Sequence, residues 1–185
     1  MRVIAGDFKG RKIEALKGDN TRPTSDKIKE SVFNMLGQFF EGGSALDLFA
    51  GSGNLGIESL SRGIEHVVFI DKEFSAVKVI KENLANFKLT ERTEVYRNDA
   101  FKAMSVLGKK GKTFDLIFLD PPYTKFDMTA ILQEIVKQQL IKNAGLIMCE
   151  EAAGFNVSLD DLPFDVVKNE TYGATEILIL KKVEN

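Results

Sequence analysis

Two short stretches of this 185-residue sequence carry residue types that could do chemistry together. The first is Asp120-Pro121-Pro122-Tyr123, which follows the apolar run Phe114 to Leu119. An Asp carboxylate oxygen and a prolyl carbonyl are fixed acceptors, and neither proline has an amide N–H to compete with them. An exocyclic amine of a flipped-out base fits between such acceptors, with the Tyr123 ring stacked on the base. Stacking of this kind contributes about 1 to 3 kcal/mol per base. The second stretch is Gly51-Ser52-Gly53-Asn54-Leu55-Gly56, a Gly-x-Gly-x-x-Gly series directly after Leu46-Asp47-Leu48-Phe49-Ala50. Without Cβ atoms its backbone can lie against a ligand. Asp71 comes twenty residues after Gly51, the spacing at which an acid accepts hydrogen bonds from the ribose hydroxyls of a nucleotide-like cofactor. Taken alone, each stretch also has a plain reading, a tight strand-to-helix turn and a rigid strand end.

NAD and S-adenosylmethionine suit the glycines and Asp71 equally. A phosphate-binding loop does not, because the Gly-Lys-Ser/Thr ending that grips phosphates and magnesium is missing. The tetrapeptide favours S-adenosylmethionine, since paired acceptors would aim an amine nitrogen at a methyl sulfonium. An NAD enzyme would also need a substrate domain, for which the chain has no length.

The elements that must position these residues follow from periodicity. Arg2 to Gly6 and Arg11 to Ile13 read as a hairpin of two short strands with its basic residues outward, turning at Asp7 to Gly10. Pro23 biases Arg22 to an extended state and Thr24 or Ser25 can cap a helix. That helix carries Ile28, Val32, Leu36 and Phe39 or Phe40 as one buried stripe ending before Gly42-Gly43. Strands are predicted at Ser44 to Leu48, His66 to Asp71, Thr93 to Arg97, Phe114 to Asp120 and Gly145 to Cys149. Helices are predicted after Gly56, over Phe74 to Phe87, Ala100 to Leu107 and Met128 to Leu140. Asp165 to Lys168 and Glu176 to Lys181 form a closing hairpin near Tyr172-Gly173. Alternating strands and helices imply an α/β fold with a mostly parallel sheet, right-handed crossovers and an antiparallel terminal hairpin. Ligands bind such sheets at the C-terminal ends of the strands. The Gly loop, Asp71, Asp99 and Asp120 to Tyr123 all lie at those ends.

Length and composition narrow the alternatives. The chain fits one domain, 1–185, with a basic extension over 1–23 and a cofactor-binding and catalytic core over 24–185. One Cys and one His make a zinc site or a Cys-His nucleophile a poor fit, so no metal is expected, and Cys149 reads as a core residue. No signal peptide or membrane-spanning run is present, which points to the cytoplasm. The net charge is −2, yet residues 1–31 hold eight Lys or Arg against five acids while the remainder holds seventeen against twenty-two. An anionic partner at one edge would account for this, as would a solvated face.

The Gly loop together with Asp120-Pro121-Pro122-Tyr123 resembles the class I S-adenosylmethionine-dependent amino-methyltransferases. A closer resemblance runs over nearly the whole chain. Ile4-Ala5-Gly6 through Gly10-Arg11-Lys12, Arg22-Pro23-Thr24-x-Asp26 with Glu30 and Phe33-Asn34, and Asp47 through Gly56 are similar to the bacterial RsmD family. That family methylates guanine N2 in small-subunit (16S) ribosomal RNA. The resemblance implies a Rossmann-like seven-stranded sheet with a small N-terminal hairpin, and S-adenosylmethionine held by Asp47, Phe49, Gly51, Gly53, Gly56, Asp71, Asp99 and Ala100. It assigns the base to Asp120, Pro121, Pro122 and Tyr123, and a protein-bound, assembling small subunit as substrate. Arg11, Lys12, Arg22 and Thr24 are the candidates for meeting the RNA, although capping by Thr24 and solvation of Arg22 explain those two almost as well. The rival readings are an adenine-N6 methyltransferase of DNA, which usually carries an inserted recognition domain that no connection here can hold, and a noncatalytic nucleotide-binding module, which leaves the acceptor pair unexplained.

Overall fold

The computed structural model describes residues 1–18 and 26–184. The first helix is α1 (Asp26–Leu36), followed by β1 (Ser44–Asp47), α2 (Asn54–Ser61), β2 (His66–Asp71), α3 (Phe74–Asn86), β3 (Thr93–Arg97) and α4 (Ala100–Lys109). The chain continues through β4 (Phe114–Leu119), α5 (Met128–Lys137), β5 (Ile141–Ala152), β6 (Phe164–Tyr172) and β7 (Thr175–Lys182). The strands form one seven-stranded sheet in the order β3-β2-β1-β4-β5-β7-β6. Pairing is parallel from β3 to β5, and β7 runs antiparallel between β5 and β6. This is the class I methyltransferase sheet, and the expected fold is the observed one.

Period-two alternation decides what each strand residue does. Ala45, Val67, Phe69, Leu116, Phe118, Met148, Ile177 and Ile179 face one core, which α1, α2 and α3 cover. Leu46, Val68, Ile70, Ile117, Leu119, Ile147, Cys149, Leu178 and Leu180 face the other, covered by α4 and α5. Strands buried on both faces read as continuous apolar runs, which is why Val67 to Ile70 and Leu116 to Leu119 stand out. The outer strand β6 is exposed along most of its length, and Asp165, Lys168 and Glu170 charge that edge, a common guard against further strand pairing. Among the described residues, no helix is long and apolar enough to cross a membrane.

The N-terminal segment departs from the expected hairpin. Its two predicted strands reduce to a single antiparallel bridge, Arg2 to Lys12, with Val3 N–H donating to Arg11 O and Ile13 N–H to Met1 O. Val3 and Ile13 are buried in the core with α1 and α2. The segment is held by this packing and by the Glu58 carboxylate, which accepts Ile4 N–H and Ala5 N–H, as well as by its own short ladder. The helix α1 also stops earlier than its apolar pattern suggests, at Leu36, because Gly37 takes φ 120°. Phe33 joins Val32 and Leu36 in the buried stripe, while Phe39 is exposed. The predicted cap at Thr24 or Ser25 lies outside the described residues.

Candidate active site

The sheet order reverses at β1, whose neighbours β2 and β4 lie on either side of it. Asp47 is in register with Phe69 of β2 and Phe118 of β4. The Gly loop, Asp71 and Asp120 therefore leave adjacent strands at the same end of the sheet, the crevice where open α/β sheets bind ligands.

The Gly loop is held from both sides. Leu48 N–H donates to Phe118 O at 3.3 Å, Ala50 N–H to Ile70 O at 2.9 Å, and Gly53 N–H to Ala50 O at 2.8 Å. Each glycine answers a different need. Gly51 has φ 59°, and among the described residues a Cβ there would meet nothing within 4 Å. Gly53 has φ 84° and caps the start of α2 from the left-handed region, which glycine adopts without strain. Gly56 lies where a Cβ would come 2.3 Å from Phe69 Cε1, so its absent side chain lets α2 pack closely on β2. Phe49 meets Phe126 edge to face at 5.0 Å and joins the loop to the segment after Tyr123.

Acids surround this crevice. Asp71 accepts Gly51 N–H and Glu73 N–H, one on each carboxylate oxygen and both at 2.9 Å. Each oxygen keeps a second lone pair for another donor. Burial raises the Asp71 pKa, against the opposing pull of those two amides. Asp47 is buried and accepts Gly56 N–H at 3.1 Å. Burial pushes its pKa up to about 7, helped by the nearby charge of Asp71. Burial also raises the Asp120 carboxyl well above the ordinary carboxylate range, and the charges of Glu150, Asp47 and Glu151 add to the effect.

Beyond Asp120 the chain makes a tight turn, with Lys125 N–H donating to Pro122 O at 3.3 Å and Thr124 at φ 62°. Thr124 N–H reaches Glu151 Oε1 at 3.3 Å. Tyr123 is 41% exposed, and its hydroxyl lies 2.6 Å from Thr175 Oγ1.

Other candidate residues have different surroundings. Asp99 caps α4, its Oδ1 accepting Lys102 N–H at 3.1 Å, and Ala100 is the buried first residue of that helix. Arg11 lies over the Phe87 ring at 4.3 Å and the Phe8 ring at 5.5 Å, and donates to Asn86 O. None of these partners belongs to the crevice. Lys12 is exposed and pairs with Glu14 at 3.2 Å. Arg22 and Thr24 lie outside the described residues. Cys149 is buried in β5, and His66 begins β2 with its ring bonded to Glu94, so the two do not form a pair.

The polar core behind the loop has little local signal in the sequence. Glu58 accepts Ile4 N–H, Ala5 N–H and both Arg62 Nε and Nη2. Lys29 lies 3.5 Å from Glu58, and donates to Arg2 O and to Asn54 Oδ1 at the start of α2. All three charged residues are buried, and burial lowers the Lys29 pKa although Glu58 opposes this. Asn83 donates to Ser52 O in the Gly loop and exchanges bonds with the Glu14 backbone. The i,i+4 pairing of Glu58 with Arg62, in a helix otherwise made of small and apolar residues plus Asn54, was the signal available.

Comparison with known proteins adds an independent observation. Residues 1–181 match the family model described as Conserved hypothetical protein 95. YlbH of Bacillus subtilis, named as a candidate rRNA methyltransferase, is 48% identical over 184 residues, covering 98% of this chain and 99% of that one. The chain belongs to this RsmD/YlbH methyltransferase family. Ribosomal RNA small subunit methyltransferase D of Haemophilus influenzae is 37% identical to this RsmD/YlbH-family chain over 124 residues, 66% of this chain and 64% of that protein. The solved structure of a candidate methyltransferase, yhhF of Escherichia coli, superposes with a TM-score of 0.86 at 24% identity, covering 100% of this chain and 99% of that one. At that identity the superposition speaks for the fold of this RsmD/YlbH-family member alone.

Proposed function

We propose that the protein transfers a methyl group from S-adenosylmethionine to the exocyclic N2 amine of a guanine in small-subunit ribosomal RNA. The observation that carries this reading is the juxtaposition of the Gly loop and Asp120 to Tyr123 on the adjacent ends of β1 and β4. The crevice fits the cofactor by two features: the backbone at Gly51, which no described residue crowds, and acids that complement a cation and hydroxyl donors. Asp71 would take the ribose hydroxyls on its free lone pairs. Asp47, Phe49, Gly51, Gly53 and Gly56 would form the cradle, with Asp99 and Ala100 beside the adenine. When bound, S-adenosylmethionine supplies an electrophilic methyl group on a sulfonium.

The chain's own residues do the rest. The turn engages the Pro122 carbonyl, so Pro121 supplies the prolyl acceptor beside the Asp120 carboxylate. Those two acceptors orient the amine, and holding a reactant in line contributes several kcal/mol to a transfer step. The exposed Tyr123 ring stacks on the base. Names given to the Bacillus and Haemophilus relatives support ribosomal RNA as the substrate, presented by an assembling small subunit in the cytoplasm. One domain, 1–185, does this work, with the cofactor-binding and catalytic groups in 24–185 and the basic segment 1–23 contributing Val3 and Ile13 to its hydrophobic core.

Nucleosides from ribosomal RNA of cells with and without the gene should differ in N2-methylguanine by mass spectrometry. Purified protein should restore the mark on isolated small subunits, and Asp120→Ala should abolish the transfer while leaving cofactor affinity nearly intact. Loss of N6-methyladenine from DNA instead would overturn the substrate assignment.

A further inference from the structure

We propose that Thr175, at the tip of the β6–β7 hairpin, is a positioning residue that fixes the Tyr123 ring as a preformed platform for the acceptor base. The inference rests on the methyl-transfer reading above and adds a part of the fold that reading does not use. Tyr123 sits in a tight turn at the edge of the crevice and is 41% exposed. An aromatic side chain so placed would sample several rotamers, and ordering it on binding would cost free energy. Here its hydroxyl is 2.6 Å from Thr175 Oγ1, across 52 residues of sequence.

Thr175 is well suited to hold it. It is the first residue of β7 and pairs with Ala152 of β5 on one side and Tyr172 of β6 on the other. Its backbone is thereby fixed in a three-strand ladder. The main chain next to the ring is tied to the same place: Thr124 N–H donates to Glu151 Oε1, which also accepts Ala152 N–H at 2.8 Å. Glu151 is buried, and its register partner on β7 is Glu176, the residue after Thr175. The phenolic tip and the backbone of the turn are thus anchored to adjacent rungs of one β5–β7 pair. A ring held at both ends keeps its faces available and loses little freedom when a base arrives, which is how a supporting group raises affinity without touching the ligand.

Steady-state methyl transfer to small subunits from cells lacking the gene tests this with Thr175→Val, Thr175→Ser, Tyr123→Phe and the Tyr123→Phe/Thr175→Val double variant. Valine keeps the shape and the strand preference of threonine but has no hydroxyl. Thr175→Val and Tyr123→Phe should each raise KM for the subunit by about 3- to 10-fold, the effect of losing one hydrogen bond, with cofactor Kd unchanged. Thr175→Ser should behave as wild type, and the double variant should be no worse than either single one, because both remove the same bond. An unchanged KM in Thr175→Val, even with a lowered Tm, or additive effects in the double variant, would overturn the proposal while an inactive Tyr123→Ala left the methyl-transfer reading standing. Wild-type kinetics in Tyr123→Ala would overturn the platform itself, and this proposal with it.

Discussion

At the scale of single residues, the acids of the crevice carry the sharpest expectations. Asp71→Ala should weaken S-adenosylmethionine binding by about 1.5 to 3 kcal/mol through loss of charge-assisted hydrogen bonds, measured by calorimetry. An unchanged affinity would remove Asp71 from the cofactor site. Asp47 is the more deeply buried of the two, with its pKa pushed up to about 7. The native state then binds a proton that the unfolded chain releases near pH 4, so this group's contribution is full at low pH and is lost as pH rises through about 7. By linkage the change is on the order of 4 kcal/mol. From about pH 4, where the unfolded carboxyl titrates, to about pH 7, the Tm of the wild type should therefore fall more steeply than that of Asp47→Asn. Asp120 leads to a kinetic counterpart. Its ionised form is the better acceptor, so kcat/KM should drop as pH is lowered through its raised pKa, and Asp120→Asn should flatten that acidic limb. A limb identical in both proteins would show that another group titrates.

At the scale of elements, α2 is the joint between the N-terminal segment and the crevice. Gly56 lets it lie on Phe69 of β2. Gly56→Ala should cost at least the 1 to 3 kcal/mol typical of overpacking, read as a lower denaturation midpoint. The buried Glu58 on the same helix holds Arg62, Lys29 and the amides of Ile4 and Ala5. Glu58→Ala would leave two buried cations without their carboxylate, and breaking such an arrangement costs about 3 to 5 kcal/mol. Because Lys29 also bonds Asn54 Oδ1, cofactor affinity should fall in that variant together with stability. Normal affinity in the folded fraction would show that the polar core supports the fold and not the loop.

For the whole molecule, the uneven charge distribution is tested through salt. Lys9, Lys12 and Lys17 are exposed, whereas Arg11 is occupied by the rings of Phe8 and Phe87 and by Asn86 O. Replacing the three lysines with Ala should reduce the slope of log affinity for the small subunit against log salt by about 2 to 3, one per lost phosphate contact. An unchanged slope would mean that this edge is only a solvated surface. The sequence by itself determined the strand-helix alternation, the seven-stranded sheet and the placement of the Gly loop, Asp71 and Asp120 to Tyr123 at strand ends. Those signals are local: a buried parallel strand is a continuous apolar run, and a turn against a ligand requires glycine. Only the tertiary structure decided that the N-terminal segment is part of the core and no free-standing hairpin, since Val3 and Ile13 are buried by partners far along the chain. It also decided the fate of the long polar side chains. Nothing in the local pattern tells Lys29 that Glu58 and Asn54 will surround it, or Tyr123 that Thr175 will meet its hydroxyl, because those contacts exist only once the sheet has brought distant strands and helices to one end.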